Sequence, residues 1–430
     1  MSSDPANCHP ARAARLARPF HRAVVGMVHA GFLAFCLPAG AAEKDIALSC
    51  DIDPLVDIPA VFALTPEALE AQYPAPKGYS DNPFFKWLTQ AKDRAIFQRR
   101  PYSNISVDLS ILGGTVPVEE VVVDFANGKL NGITFSIYNR GDAGQITPEE
   151  FKRRLQACDE ALRKRLSSVP SPRRADPAAG LLASGWTWFC PIGLATIEKN
   201  PEADSGHPEY LKMRIAPRDA TGPIATAIRE QRGSTTLTQL KKNVQNDSAR
   251  TLIQCVPMVD QGPKGYCVVA ASQRLFEYYG ISCDQHQIAK IAGTDAKNGT
   301  SSDKMMAALQ SLDRVFHLQF KCLLARFTDG SLRDLKQQKK AGLEEFQKNI
   351  EHYVGDGIPL LWSLELGKFP EQPSLSRQAA GGHMRLIIGF DKENLYFTDS
   401  WGAGHELGSM SLRNALDATR GLFVMHPTVR

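Results

Sequence analysis

The sequence predicts an α+β protein with two domains, and three observations support this prediction. The chain has 430 residues, which exceeds the size of one ordinary hydrophobic core. From Ile105 onward, alternating apolar residues and one long helical pattern predict a small α+β domain over residues 80–218. After a polar connector, residues 250–430 contain a helical pattern and an apolar hairpin, and they are numerous enough to form a second core.

Composition and charge indicate a globular protein that does not bind nucleic acid. Of the residues, 43% are hydrophobic and 22% are charged, and the net charge is only +4. No stripe of Lys and Arg with interleaved aromatic residues occurs, so nucleic acid is not an expected partner. No Cys-x-x-Cys pair or Cys/His cluster has zinc-ligand spacing, so neither a metal nor a cofactor is expected.

Residues 1–42 are predicted to be an export signal that is removed from the mature protein. The apolar stretch Ala23–Leu37 is too short to span a bilayer comfortably, and it follows a basic start formed by Arg12, Arg15, Arg18 and Arg22. Small residues at Ala39–Ala41 then provide a cleavage site. The protein is therefore expected to be secreted or periplasmic, without stable membrane insertion after cleavage. The alternative is that the segment is retained as a membrane anchor.

The cysteine count fits an oxidising compartment. Removing Cys8 and Cys36 with the signal leaves seven cysteines, namely Cys50, Cys158, Cys190, Cys255, Cys267, Cys283 and Cys322. Because seven is an odd number, up to three disulfides and one free thiol are expected. The alternative is that several of the seven are buried thiols.

Between the signal and the second domain, three segments are distinguished. Residues 43–79 are Pro-rich and predicted to be irregular, with a short helix over Thr65–Gln72. Residues 219–249 are polar and predicted to be a linker with an edge helix. The small domain between them is predicted to contain strands Val121–Phe125 and Ile133–Ile137 around Asn127 and Gly128, a helix from Thr147 to Leu166, and strands over Trp186–Ile197 and Tyr210–Ile215. No pattern indicates what this domain does.

Four residues of the C-terminal region have the types and the order needed for thiol-based acyl transfer. Gln261 precedes Cys267 by six positions, and downstream follow His383, in Gly-Gly-His, and Asp399, in Asp-Ser-Trp-Gly. Cys267 is predicted to be the nucleophile and His383 its base. Asp399 is predicted to orient the base, and Gln261 to be an oxyanion donor.

Two features are expected to favour the thiolate form of Cys267. The first is a helix start, because Gly280 ends a helical pattern formed by the apolar residues Val268, Ala271, Leu275 and Tyr278. Unpaired N–H groups and the helix dipole stabilise negative charge at such a start. The second is a nearby imidazolium. The glycine-rich turn before Cys267 is also expected to aim the Gln261 side chain and the Cys267 N–H at one point, and each such donor is typically worth about 3 kcal/mol in the transition state.

A predicted hairpin brings the base and its carboxylate together. His383 opens the apolar run Met384–Phe390, residues Asp391–Asn394 form a polar turn, and Leu395–Thr398 return. In an antiparallel pair the start of one strand lies beside the end of the next, so His383 and Asp399 are expected to be neighbours. Trp401 is expected to shield their hydrogen bond from water.

These motifs resemble the papain-like cysteine peptidase superfamily, and among its members exported bacterial domains related to double-glycine leader peptidases. The resemblance covers residues 250–430. It implies a helical lobe beside an antiparallel sheet, with a cleft between them. It also implies an exported cysteine peptidase that hydrolyses peptide or protein substrates through an acyl-enzyme. The candidates for lining the cleft are Gly265, Tyr266, Gly382 and Trp401.

The sequence departs from many papain relatives at two positions. They have Asn where this chain has Asp399 and an aromatic residue where it has Val268. Asp is usual in the leader-peptidase branch, so the resemblance implies unchanged chemistry. The leader peptidases are fused to a transporter, so their substrate is not carried over to this chain.

Several alternatives stay open. His405 is the main rival base, Cys255 lacks a matching Gln, and Cys283 lies beyond the predicted helix. The function has two alternatives: an inactive papain-like module that binds peptides, or an acyltransferase or amidase acting on a non-protein substrate.

Overall fold

The computed structural model describes residues 46–102, 104–175, 183–229, 235–262, 265–281, 287–289, 318–325 and 342–428, together with positions 307, 310 and 313. The signal predicted over residues 1–42 lies outside these ranges. Within them, every helix is too short or too polar to cross a lipid bilayer.

Helices and strands are numbered in chain order over the described residues. The α-helices are α1 (Pro66–Gln72), α2 (Arg140–Ala143), α3 (Pro148–Leu166), α4 (Gly222–Ile228), α5 (Leu237–Lys241), α6 (Cys267–Tyr278), α7 (Leu343–Gly355) and α8 (Leu412–Ala418). Short 3-10 helices cover Asp53–Val56, Ala60–Ala63 and Pro201–Ser205. The first strands are β1 (Ile46–Asp51), β2 (Phe85–Trp87), β3 (Arg94–Gln98), β4 (Ile105–Ile111), β5 (Val116–Pro117), β6 (Glu120–Ala126), β7 (Lys129–Asn139), β8 (Ser171–Arg173), β9 (Ser184–Phe189), β10 (Gly193–Lys199) and β11 (Tyr210–Pro217). The later strands are β12 (Val244–Asn246), β13 (Thr251–Ile253), β14 (Leu318–Ala325), β15 (Leu360–Leu366), β16 (Gly381–Phe390), β17 (Asn394–Thr398), β18 (Gly408–Ser411) and β19 (Thr419–Pro427).

Strands β1 to β11 form two sheets that share one hydrophobic core. In the smaller sheet β1 runs parallel to β4, and β5 pairs antiparallel with β4. The larger sheet has the order β2-β3-β6-β7-β11-β10-β9-β8 and is antiparallel. Their common core also contains residues of α1 and α3.

Local sequence signals explain the two elements predicted best in this region. Asn127 and Gly128, between β6 and β7, both have positive φ angles of 51° and 72°, as a two-residue hairpin turn of the mirror-image type requires. The side chain of Thr147 accepts a hydrogen bond from the N–H of Glu150 at 3.2 Å, so α3 begins where the sequence predicted.

Three segments differ from the sequence prediction. The segment 43–79 contains strand β1, although it was expected to be irregular outside its helix. The run 186–197 is two strands, because the Pro and Gly residues after Phe189 allow the chain to reverse between β9 and β10. The predicted linker contains α4, α5 and β12, and β12 pairs with β13 of the C-terminal sheet. The domain boundaries stay predictions.

The C-terminal region consists of an antiparallel sheet covered by helices. The sheet has the order β12-β13-β16-β15-β19-β14, with β17 and β18 continuing from β16. Helices α6, α7 and α8 contribute to its core, at the centre of which Trp362 is completely buried. The helical lobe and antiparallel sheet expected for residues 250–430 are thus present in the described residues.

A buried ionic network ties the two regions together. Arg94 of β3 donates to both carboxylate oxygens of Asp124, at 2.6 and 2.9 Å. The same guanidinium donates to the carbonyl of Met258 at 3.0 Å and to Glu277 of α6 at 2.8 Å. The N-terminal sheet is therefore bonded directly to the helix that begins at Cys267.

Candidate active site

Cys267 lies at the start of a helix, as the sequence predicted. It is the first residue of α6, and the side chain of the N-cap residue Tyr266 makes no capping hydrogen bond. The helix dipole and N–H groups at this end stabilise negative charge at the thiol. The residues of the predicted helical pattern are buried, and Gly280 ends the helix with a positive φ of 73°. Cys267 is a free, partly buried thiol.

His383 and Asp399 meet at one end of the β16–β17 hairpin. Leu386 pairs with Thr398, so His383 and Asp399 lie close to each other beyond that pair. His383 Nε2 is 2.7 Å from Asp399 Oδ1, and the backbone N–H of Ser400 donates to the same oxygen at 2.8 Å. The structure thus confirms the predicted neighbourhood of the imidazole and the carboxylate.

Burial and neighbouring charges act in opposite directions on this pair. Burial lowers the pKa of His383, but the Asp399 carboxylate and Cys267 outweigh it and raise the pKa to about 9. Burial raises the pKa of Asp399, but His383 and Arg385 together lower it to about 2. At neutral pH the pair is therefore an imidazolium hydrogen-bonded to a carboxylate.

The other nitrogen of the His383 ring is available to the thiol. Because Nε2 is bonded to Asp399, the contact with Cys267 that raises the pKa of His383 involves Nδ1. Nδ1 is buried and makes no hydrogen bond to any described residue. Sulfur, imidazole and carboxylate therefore follow one another in the order needed for nucleophile, base and orienting group.

Trp401 covers the imidazole and separates it from the rival base. The rings of His383 and Trp401 stack with centroids 4.5 Å apart and an interplanar angle of 18°. His405 meets the edge of Trp401 at 5.5 Å, and its contact with Asp399 is through its backbone carbonyl, which accepts the Asp399 N–H at 2.9 Å. The carboxylate of Asp399 thus orients His383 rather than His405.

Gln261 lies at the same end of the sheet as Asp399. Its backbone N–H donates to the carbonyl of Ser400 at 3.0 Å, and the preceding Asp260 forms an isolated β-bridge with Trp401. Gly262 turns the chain with a positive φ of 67°, and its N–H donates to Asp260 Oδ1 at 2.8 Å. Gln261 is buried beside this turn, and its role as an oxyanion donor stays a prediction.

Arg385 is a residue of the site that the sequence reasoning missed. It lies two positions after His383 on β16, and its Nε donates to Asp399 Oδ2 at 2.6 Å. Its terminal nitrogens donate to Glu371 at 2.7 and 3.3 Å, and its guanidinium lies 4.2 Å from the ring centre of Phe397. A charged residue inside an apolar strand was a signal that a buried partner existed.

Arg274 is a second missed residue, and it joins the two lobes. From α6 its Nε donates to the carbonyl of Pro257 at 2.7 Å, and a terminal nitrogen donates to Thr398 Oγ1 at 2.6 Å. Thr398 immediately precedes Asp399, so this hydrogen bond links the helix of the thiol to the strand of the carboxylate. Burial lowers the pKa of Arg274 to about 10, which leaves the side chain charged at neutral pH.

The four residues predicted to line the cleft have different surroundings. Gly265 and Gly382 are exposed, whereas Tyr266 is only 1% exposed and belongs to the C-terminal core. Trp401 borders a cavity of about 750 Å³. The other walls of this cavity come mainly from the N-terminal region, among them Phe85, Lys86, Trp87 and Tyr102.

Cys50, Cys158 and Cys255 are poor nucleophile candidates. Burial raises the pKa of Cys50 and of Cys158 to about 12. Cys255 is disulfide-bonded, and Cys283 lies outside the described residues. Within the described ranges, no group of three or more His, Cys, Asp or Glu side chains is arranged to hold a metal ion.

In the C-terminal region, a thiol at a helix start and a His–Asp pair at a sheet end resemble the arrangement of the papain-like cysteine peptidases. Within that class, residues 253–414 match the model of the Peptidase_C39 like family. The C-terminal region is thus a relative of the papain-like cysteine peptidases, as its motifs predicted. The match covers less than half of the chain and does not include the N-terminal region.

Two solved structures are similar to part of the chain. One is the peptidase domain of ComA from Streptococcus, a bi-functional ABC transporter involved in a quorum sensing pathway; it is 14% identical, with a TM-score of 0.28, and the similarity covers 40% of this chain and 100% of that one. The other is a putative C39-like peptidase from Bacillus anthracis; it is 13% identical, with a TM-score of 0.29, over 43% of this chain and 100% of that one. No curated protein matches the chain.

Proposed function

We propose that this protein is a cysteine peptidase that hydrolyses peptide bonds through an acyl-enzyme on Cys267. The observation that carries the proposal is the buried His383 ring, whose Nε2 is 2.7 Å from Asp399 and whose pKa is raised by Cys267 as well as by that carboxylate. A structural thiol has no need of an imidazolium held in one orientation by a buried carboxylate. Such an arrangement supplies a base and then an acid to a nucleophile.

The first half of the proposed reaction forms the acyl-enzyme. The Cys267 thiolate attacks the carbonyl carbon, and the Gln261 side chain and the Cys267 N–H stabilise the oxyanion. The His383 imidazolium then gives its Nδ1 proton to the leaving nitrogen as the C–N bond breaks, which leaves a thioester and a free amine. Asp399 stays ionised and holds the ring in place throughout.

The second half hydrolyses the thioester. Neutral His383 takes a proton from a water molecule, and the resulting hydroxide attacks the thioester carbon at the same oxyanion site. The C–S bond breaks, so the carboxylic acid leaves and the thiolate–imidazolium pair is restored.

Export to an oxidising compartment is part of the proposal. The disulfide of Cys255 supports it, because disulfides are rare in cytosolic proteins. The basic and apolar composition of residues 1–42 supports it from the sequence.

Two measurements on the full mature chain test the proposal. Iodoacetamide is expected to label Cys267 selectively at neutral pH, because a thiolate alkylates much faster than the buried thiols of Cys50, Cys158 and Cys190. A peptide library read by mass spectrometry is expected to show cleavage that Cys267→Ala abolishes. Cys322→Ala, which removes another partly buried free thiol, is the matched control and is expected to keep full cleavage.

The outcomes separate the proposal from its alternatives. Cleavage that survives Cys267→Ala refutes the assignment of the nucleophile. A wild-type chain that binds peptides but leaves them intact is the inactive binding module. Labelled Cys267 without peptide cleavage, but with turnover of a non-protein amide or ester, indicates the amidase or acyltransferase.

A further inference from the structure

The turn that carries Gln261 is fixed by backbone contacts to the catalytic sheet and by one side chain from the N-terminal region. Asp260 bridges Trp401, and Gln261 donates to the Ser400 carbonyl at 3.0 Å. Asp260 Oδ1 also accepts the N–H of Gly262 at 2.8 Å. The carboxylate of Asp260 therefore helps to fix the conformation of the turn that contains Gln261.

The carboxylate of Asp260 is completely buried, and its closest counter-ion is a lysine from the other region. Lys86 of β2 places Nζ 2.5 Å from Asp260 Oδ2, and only 21% of the Lys86 side chain is exposed. Arg377 approaches the same oxygen at 3.7 Å, and 48% of its side chain is exposed to solvent. A close and largely desolvated cation holds a buried carboxylate in place better than a distant, exposed one, so Lys86 is the partner that matters more.

Strand β2 is held firmly enough to position this lysine. It pairs with β3, and Leu88, just beyond it, packs with Ile96 of β3 and with Met258. The Met258 carbonyl, two residues before Asp260, is also held by Arg94 at 3.0 Å. The segment 258–262 thus contacts the N-terminal sheet at Met258 as well as at Asp260.

A third contact is at the turn itself. A side chain added at Gly262 would lie 3.7 Å from the side-chain nitrogen of Gln98, at the end of β3. The N-terminal sheet therefore lies against the turn beside Gln261 as well as against Asp260.

We propose that Lys86 is a positioning residue for the oxyanion donor, and that the N-terminal domain completes the active site through it. This inference rests on the proposed function. It gives the N-terminal domain a role in catalysis that differs from inhibition or attachment to a partner. Lys86 acts through Asp260 and does not need to touch the substrate.

The test compares four variants of the full mature chain, using a peptide that the wild type cleaves. Lys86→Met removes the charge and keeps the length of the side chain, whereas Lys86→Arg keeps the charge. Asp260→Asn and the double variant Lys86→Met/Asp260→Asn complete a cycle that measures whether the two residues act as one unit. Lys92→Met is the matched control, because Lys92 makes a 2.6 Å ion pair with Glu70 that is half exposed.

Three readouts distinguish positioning from other roles. They are kcat and KM for the peptide, the rate at which iodoacetamide alkylates Cys267, and the thermal unfolding temperature. Alkylation displaces iodide at a saturated carbon and builds no oxyanion, so it reports on the thiolate alone. A misplaced oxyanion donor lowers kcat and leaves KM and alkylation unchanged.

The expected result is a loss of roughly 10- to 100-fold in kcat for Lys86→Met, with KM and the alkylation rate within about twofold of wild type. Lys86→Arg is expected to recover most of that loss, and Lys92→Met to behave like wild type. The double variant is expected to lose no more kcat than the worse single variant. If Lys86→Met does not fold, the double variant replaces it in the test, because it removes the buried charge and its partner together. The double variant is then expected to show the same loss of kcat.

Other results overturn the inference. Unchanged kcat in a folded Lys86→Met chain, or in the double variant if the single one does not fold, excludes a positioning role. A raised KM with unchanged kcat means that Lys86 contacts the substrate in the cavity that it borders. A wild-type chain without turnover overturns the proposed function, and this inference with it, whereas an active wild type with an equally active Lys86→Met overturns this inference alone.

Discussion

Asp399→Asn tests the charge interaction between Asp399 and His383. The substitution keeps the size of the side chain but removes the charge that raises the pKa of His383. The increase of that pKa from 6.5 to about 9 corresponds to about 3 kcal/mol of stability. Because the pKa is higher in the folded protein than in the unfolded chain, this contribution is complete below about pH 6.5 and is lost as the pH rises through about 9. In the variant, burial still lowers the pKa of His383, and Cys267 is left to oppose it without the Asp399 charge, so the pKa falls.

The assay is urea unfolding of wild type and variant at a series of pH values from about 6 to about 9.5. The difference between their free energies of unfolding isolates the pair, since other titrations are common to both proteins. We expect this difference to shrink by about 3 kcal/mol across the range as wild-type His383 loses its proton. Asp391→Asn is the control: Asp391 lies in the turn of the same hairpin, where it accepts hydrogen bonds from Glu393, Asn394 and Tyr396. A difference for Asp399→Asn that does not change with pH refutes the assignment of an imidazolium at His383.

Three further predictions concern the neighbours of this pair. Gln261→Ala should lower kcat roughly 100- to 1000-fold and leave alkylation of Cys267 unchanged, as measured by peptide cleavage and iodoacetamide kinetics; equal losses in both would contradict an oxyanion role. Arg385→Met should lower the free energy of unfolding in urea by about 3 kcal/mol, because Asp399 and Glu371 both lose a buried partner. An unchanged free energy of unfolding would show that the charges of Asp399 and Glu371 are solvated. Peptide hydrolysis should fall above about pH 9, where His383 loses the proton needed by the leaving amine, while alkylation of Cys267 should not; parallel profiles would contradict the role of His383 as the acid.

The sequence predicted the reacting groups because their signals are local. A turn rich in glycine followed by apolar residues at helical spacing places Cys267 at a helix start. Two apolar runs around Asp391 predict a hairpin, and antiparallel pairing then makes His383 and Asp399 neighbours without further information. The rotation of the imidazole, which places Nε2 on the carboxylate, could not be predicted, because no local sequence signal fixes the orientation of a ring.

The residues that support the reacting groups were missed because their partners are distant in the chain. Lys86 and Asp260 lie in distant parts of the sequence, and neither stands in a motif. Strand β1 was missed for a similar reason: it pairs with β4 across more than fifty residues, so its flanking prolines gave the only local signal. Long-range pairing of this kind is decided by the tertiary core rather than by local propensity.

The step after acylation decides between hydrolysis and transfer, and the cavity beside Trp401 bears on that choice. Asp81 and Ala403, which are exposed, line this cavity of about 750 Å³, so water can enter it. Two carboxylates, Glu70 and Asp81, and two cations, Lys86 and Arg377, also line it, so an amine acceptor would be attracted only beside the carboxylates. We expect hydrolysis to dominate, because water is abundant at the thioester and a transferase must favour its acceptor over water. The measurement is the ratio of free acid to amide product as glycinamide is added during cleavage of a peptide. If the ratio of acid to amide depends only on the relative nucleophilicity of water and glycinamide in solution, the result supports the peptidase. If amide formation saturates at low glycinamide concentration and is lost in Asp81→Asn, the protein is an acyltransferase.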